Sequence, residues 1–241
     1  MNAILFDFGG TLDTDGLHWR EKFYQAYQEA GLLVPQHEFD AAYARAEQQM
    51  CSGVLGPEDA LKKTLKTQVT LQVIEIGKGR RGSSFVPPAN AVNDITERCM
   101  RDVLETVRHH VPLLLRWSQR YTLGVVSNFY GNLASVVRGL GIAEYFREVV
   151  DSAVVGIRKP DPRIFQAALD ALSCPPGESI VVGDSYERDI VPAKSLGCGT
   201  VWLQKGFQKG MHDTSKADFV ISSLRGLDTI LFERITHENR A

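Results

Sequence analysis

Ala3-Ile4-Leu5-Phe6-Asp7-Phe8-Gly9-Gly10-Thr11-Leu12-Asp13-Thr14-Asp15-Gly16 is the stretch on which the reading of the fold turns. Residues 3–6 are apolar without alternation, the pattern of a strand buried on both faces of a parallel sheet, and such a strand delivers Asp7 to its carboxyl end. Open α/β sheets bind ligands at that end. Gly9 and Gly10 allow backbone N–H groups to turn toward a bound anion, and the Thr11 hydroxyl adds a donor. A carboxylate beside such a nest repels an anion unless it has a chemical task. The task that fits is attack on phosphorus, with Mg²⁺ offsetting the charge as the two groups meet.

Beyond Gly16 the pattern changes to helix. Trp19, Phe23, Tyr27 and Ala30 recur at helical spacing and Gly31 closes the run; Phe39, Tyr43 and Ala46 mark a second helix. Pro57 is placed as a first-turn proline of a third, whose stripe Leu61, Leu65, Val69 and Val73 reaches about Ile76. Residues 77–88 are rich in Gly, Ser, Pro and basic side chains and predict a loop, and a fourth helix is expected from Ala91 to His109. Gly77-Lys78-Gly79-Arg80-Arg81-Gly82 matches G-x-G-x-x-G, but Ser83, Ser84, Phe85 and two prolines follow where a helix should begin, so no N-terminal amides or dipole await a phosphate.

Strand signals return at Tyr121. Residues 123–126, 149–150, 180–182, 201–203 and 219–221 read as strands, separated by helices over 133–140, 162–172 and 186–196, the βα alternation of a parallel sheet. Chemically suggestive residues follow these runs: Ser127-Asn128 after the second strand, Lys159 in Gly156-Ile157-Arg158-Lys159-Pro160-Asp161-Pro162, and Asp184 with Asp189 in Gly183-Asp184-Ser185-Tyr186-Glu187-Arg188-Asp189. Phosphoryl transfer needs an in-line nucleophile and compensation of charge on the equatorial oxygens, and Mg²⁺ takes oxygen ligands from one or two carboxylates. Asp7 and Asp184 are the candidate pair.

Asp7 with Thr11, Ser127-Asn128, Lys159, and Asp184 with Asp189, in that order along the chain, resemble the haloacid dehalogenase-like hydrolase superfamily, in its phosphatase branch with a helical cap inserted after the first motif. The resemblance implies a Rossmann-like, doubly wound parallel α/β sheet of order 3-2-1-4-5, with residues 1–15 and 111–241 as core and 16–110 as an all-helical cap. It also implies Asp7 as nucleophile, a Gly9 carbonyl, Asp7, Asp184 and Asp189 at Mg²⁺, and Gly10, Thr11, Ser127, the Asn128 N–H and Lys159 around the phosphate. Gly16 and the segment from His110 to Pro112 are the expected hinges.

Phosphatases of this kind carry D-x-D at the start, the second aspartate serving as general acid and base; here Gly9 stands at that position. Three accounts remain open: another acid substitutes, from Asp13, Asp15 or His18; the chain binds a phosphorylated ligand with little or no turnover; or the reaction is not ester hydrolysis. Under the third, a metal-free dehalogenase leaves Asp184 and Asp189 without a task. A phosphonate-cleaving enzyme would need a Schiff-base lysine from Lys22, Lys62, Lys63 or Lys66.

The 241 residues, 44% hydrophobic and 23% charged, suit one α/β core with an insertion. A net charge of -2 provides no electrostatic footprint for nucleic acid or an anionic membrane. Cys51, Cys99, Cys174 and Cys198 show no zinc or disulfide spacing, and no apolar run is long enough to span a bilayer. These features predict a cytoplasmic protein acting on a small phosphorylated substrate, with neither nucleic acid nor membrane as partner.

Overall fold

The computed structural model describes residues 1–80, 87–205 and 215–231. Six strands, β1 (Ala3–Phe6), β2 (Thr122–Ser127), β3 (Glu148–Asp151), β4 (Ser179–Gly183), β5 (Gly199–Leu203) and β6 (Phe219–Ile221), form one sheet of order β3-β2-β1-β4-β5-β6. Every pairing is parallel. The expected order is thus present and extended by one edge strand. Side chains alternate along a strand, so Ile4 and Phe6 enter one apolar cluster while Ala3 and Leu5 enter the other. All four are fully buried, which explains why β1 reads as a continuous apolar run.

Between β1 and β2 the described residues form helices α1 (Trp19–Glu29), α2 (Gln36–Met50), α3 (Leu61–Gly79) and α4 (Ala91–Ser118). α2 packs on α3, α3 on α4, and α1 on α4. Later helices are α5 (Leu133–Gly139), α6 (Ser152–Val155), α7 (Arg163–Ala171) and α8 (Val191–Ser195).

Three local expectations are corrected. Pro57 precedes α3 in a turn, where the Asp59 side chain accepts from Gly56 N; the helix begins at Leu61. Gly77 and Gly79 belong to α3 rather than to a loop, because buried Ile76 and ion pairs from Lys78 to Glu75 and Arg80 to Glu38 carry the last turn. Residues 81–86, with the rest of the glycine-rich match, lie outside the described residues. The fourth helix does not stop at His109. It runs through Pro112 to Ser118, since Val107, His110, Leu113, Leu114 and Trp117 continue one buried face, and Trp117 stacks on Phe6 of the central strand at 5.7 Å. Burial of that face outweighs the hydrogen bond a proline removes from a helix interior. His110 is consequently inside the helix and buried, its Nδ1 2.9 Å from the Leu12 carbonyl oxygen.

Candidate active site

Parallel register brings separate motifs together. Phe6 lies opposite Val125 of β2 and Val182 of β4, so the residues that follow these three emerge side by side at the carboxyl edge of the sheet. Asp7 N donates to Val182 O at 2.9 Å, tying the turn after β1 to β4. Asp7 is 5% exposed, and its Oδ1 accepts from Ser127 Oγ at 2.9 Å and from Lys159 Nζ at 2.6 Å. The same ammonium donates to Asp189 Oδ1 at 2.6 Å and to Val126 O at 3.1 Å, which uses its three protons. Asn128 fixes the lysine from behind: its Nδ2 donates to Lys159 O at 2.9 Å and its Oδ1 accepts from Lys159 N at 2.8 Å. That clamp is what its side chain contributes.

Asp7, Asp184 and Asp189 offer carboxylate oxygens that all lie within 4.8 Å of one another. Lys159 neutralises one of these three charges, leaving two negative charges in excess. The electrostatic consequence is direct. Burial, then Asp7 and Asp189, push Asp184 well above the ordinary carboxylate range, and burial lifts Asp189 to about 6 despite Lys159. Burial alone would lower Lys159, but Asp189 and Asp7 overcome it and hold the ammonium above the ordinary lysine range. The donor set is all oxygen and its excess charge equals that of a divalent cation, so these residues fit Mg²⁺. Two glycines make room for the cluster. A Cβ at Gly10 would sit 2.3 Å from Asp184 Oδ2, and one at Gly183 would sit 2.4 Å from Asp189 Cγ.

The first turn differs from the nest expected of it. Gly10 N, a predicted donor to the anion, instead donates to Asp13 Oδ1 at 2.8 Å. Thr11 is fully buried, its hydroxyl has no partner among the described residues, and neither Gly10 nor Thr11 lines the cavity. The turn folds back on itself because Asp13 satisfies that amide from within the loop. Asp13 Oδ2 also accepts from Trp19 Nε1 at 2.7 Å, and the indole lies over Gly9, 3.5 Å from where a Cβ there would be. Burial pushes Asp13 up to about 7 against the pull of these two N–H groups.

Asp13 and Asp189 have higher folded than unfolded pKa values, so the folded state binds more protons between the two. Their stabilising contribution is complete below about 4 and lost as pH rises through about 6 and 7. Chelator-treated protein should therefore melt at progressively higher temperature as pH is lowered from 8 to 5. Asp13→Asn should flatten the upper part of that profile. Calorimetry across this range checks it; a melting temperature that falls on acidification contradicts the assignment.

These groups open into a cavity with about 800 Å³ of free space including its mouth. The helices between β1 and β2 supply Trp19, Phe23, Tyr43, Glu47, Leu65 and Gln68 to its wall, opposite Asp7, Gly9, Ser127, Asn128, Lys159, Asp184 and Asp189. Of the other candidate acids, His18 lines the cavity and burial lowers its pKa. Asp15 does not line it; it accepts from Leu224 N at 2.7 Å and lies 3.5 Å from His110 Nε2. Lys22, Lys62, Lys63 and Lys66 are all absent from the lining, so no Schiff-base lysine faces it from among them. Glu47, Gln68, Tyr130 and Arg188 line it without having been singled out by sequence. The one available signal was Gln68, a polar residue beside the apolar stripe of α3 and only 3% exposed.

Among described residues no helix is long and apolar enough to cross a membrane. The glyceraldehyde 3-phosphate phosphatase of Methanocaldococcus jannaschii is 38% identical over 92 residues, 38% of this chain and 40% of that protein. The phosphoserine phosphatase of Thermus thermophilus is 41% identical over 87 residues, 36% of this chain and 34% of that protein. The chain thus aligns with well under half the length of these curated relatives. A phosphatase of this fold from Thermococcus onnurineus superposes with a TM-score of 0.57 at 23% identity, covering 96% of this chain and 98% of that one, a likeness of fold. The haloacid dehalogenase-like hydrolase family model matches residues 1–197, which include every strand-end motif described above. This chain belongs to the haloacid dehalogenase-like hydrolases.

Proposed function

We propose that the protein is a Mg²⁺-dependent phosphatase that removes phosphate from a small phosphorylated metabolite through an aspartyl-phosphate on Asp7. The observation that carries this reading is the state of the Asp7 carboxylate. Ser127 and Lys159 both bond to Oδ1, and Oδ2 accepts no hydrogen bond among the described residues. One oxygen is gripped and the other is left without a donor in a residue that lines the cavity, which suits an in-line nucleophile. Asp7, Asp184 and the Gly9 carbonyl would hold Mg²⁺, with Asp189 beside them orienting Lys159; the cation supplies charge compensation at the phosphoryl oxygens. Lys159 and Ser127 orient Asp7 and meet the phosphoryl group, and the α1–α4 segment acts as a cap that excludes water and selects the substrate.

Asp7 Oδ2 forms the new bond to phosphorus while the ester P–O bond breaks, and the departing oxygen needs a proton. Asp13 is the donor in this reading, since it lines the cavity, flanks Gly9, and is shifted to a pKa suited to holding a proton near neutral pH. It takes a proton back from the water that hydrolyses the aspartyl-phosphate. Loss of this acid matters most when the leaving group is poor. Asp13→Asn should lower kcat/KM for an alkyl phosphate by roughly 10²-fold and that for 4-nitrophenyl phosphate far less. Gly9→Asp places an acid on the same side with no backbone penalty, since φ at residue 9 is -77° and its Cβ meets only van der Waals neighbours. In the Asp13→Asn background it should restore much of the alkyl-to-aryl ratio. Equal losses on both substrates would remove Asp13 from the proton-transfer role.

Gly9 also motivates a second reading, a phosphate-binding protein without turnover. Purified protein with Mg²⁺ and 4-nitrophenyl phosphate separates the two. Release of phosphate supports the phosphatase, and protection against heat by phosphate without any release supports the binder.

A further inference from the structure

We propose that the cap-side wall of the cavity is a hydroxyl-recognition site, which makes a phosphorylated polyol or sugar the substrate class; this rests on the phosphatase reading above. Glu47 of α2 is the centre of the site. Its Oε1 accepts from Tyr130 Oη at 2.8 Å and from Gln68 Nε2 at 2.6 Å. Those two bonds immobilise the carboxylate and leave Oε2 with no partner among the described residues. Gln68, having committed its Nε2 to Glu47, presents an Oε1 that is buried and equally without a partner. Both residues line the cavity. A buried carbonyl oxygen without a donor is costly, so a ligand that brings donors is stabilised there by more than the same contact would be worth in water.

The neighbouring charge selects the kind of donor. Arg188 lines the same cavity, and its guanidinium has no ion pair or hydrogen bond among the described residues. It disfavours an ammonium beside Glu47, whereas a hydroxyl can donate to Glu47 or Gln68 and accept from Arg188 at once. A second carboxylate on the ligand would meet Glu47. Phe23 and Tyr43 complete the wall with ring surface that packs against the C–H face of a carbon chain or sugar ring. Burial raises the pKa of Glu47 even against the bonds from Tyr130 and Gln68 and the charges of Arg188 and Arg158.

The experiment compares three phosphates of equal chain length, sorbitol 6-phosphate, hexyl phosphate and 6-aminohexyl phosphate. Binding is measured calorimetrically with Mg²⁺ to the Asp7→Asn protein, and turnover is measured with the wild type. Sorbitol 6-phosphate is expected to bind at least tenfold more tightly than hexyl phosphate, with a matching advantage in kcat/KM. Glu47→Gln and Gln68→Met should each reduce the ratio to within threefold; the Gln68 change removes the orphan oxygen, so that variant is expected to fold. Equal binding of the polyol and alkyl phosphates, or a ratio unchanged in both variants, overturns the proposal. Tighter binding of 6-aminohexyl phosphate overturns it in favour of an ammonium site. Absence of turnover even with 4-nitrophenyl phosphate would instead remove the phosphatase reading, while a tenfold binding preference would still uphold the hydroxyl site.

Discussion

Asp7→Asn should lower kcat for phosphate release by roughly 10⁴-fold or more while leaving the protein folded. The substitution keeps the shape of the side chain and an oxygen that can still accept from Ser127 and Lys159, the two bonds that hold Oδ1 in the native site. What it removes is the nucleophilic electron pair on the second oxygen. The loss should therefore appear in kcat. Stability moves the other way, because Asp7 raises the pKa of both Asp184 and Asp189, and deleting its charge relieves that repulsion. In chelator the variant should melt no lower than the wild type. Phosphate release and calorimetry on the same preparation give both readings, and undiminished Mg²⁺-dependent turnover would end the covalent mechanism.

Lys159→Met should destabilise the protein by about 3–5 kcal/mol at pH 8 and abolish turnover as well. The lysine is 5% exposed, and among the described residues its ammonium is the one cation paired with Asp7 and Asp189, each 2.6 Å away. Methionine keeps an apolar stem as far as Cε, so the cost is chiefly the loss of the ammonium, including its place over the Phe165 ring at 5.9 Å. The carboxylates left behind can escape by protonation. The destabilisation should thus shrink as pH falls from 8 to 5, which distinguishes lost charge from lost packing. Lys159→Arg should not rescue activity, since a planar fork cannot replace a point charge enclosed by two carboxylates and the Val126 carbonyl. Denaturant titrations at two pH values test this; a loss independent of pH would place the effect in packing.

The core of the fold and most of the chemistry were legible because both depend on local pattern. Apolar runs without alternation mark buried parallel strands, and polar residues that end them lie at one sheet edge, so Asp7, Ser127 and Asp184 could be named before their distances were known, while Lys159 and Asp189, which lie further along the connections, were named from their order in the motif set. Element ends were less legible. α4 continues through Pro112 because Leu113, Leu114 and Trp117 bury their side chains, Trp117 stacking on Phe6, and a contact over that separation leaves no local mark. Pro57 failed as a helix start for the complementary reason: a first-turn proline and a turn proline share one φ, and the Asp59 bond to Gly56 N that sets the turn is local but common.

The sequence by itself determined the parallel sheet, the helical insertion after its first strand and the identity of the acidic cluster, since periodicity and strand-end chemistry are properties of neighbours along the chain. Tertiary structure alone decided that Gly10 N–H serves Asp13 rather than a ligand, that Trp19 covers Gly9, and that Glu47, Gln68, Tyr130 and Arg188 share one wall with Asp7. Those relations join groups from different elements, where a hydrogen bond depends on ångström-scale separation and burial sets the charge state; neither quantity is encoded in spacing along a chain.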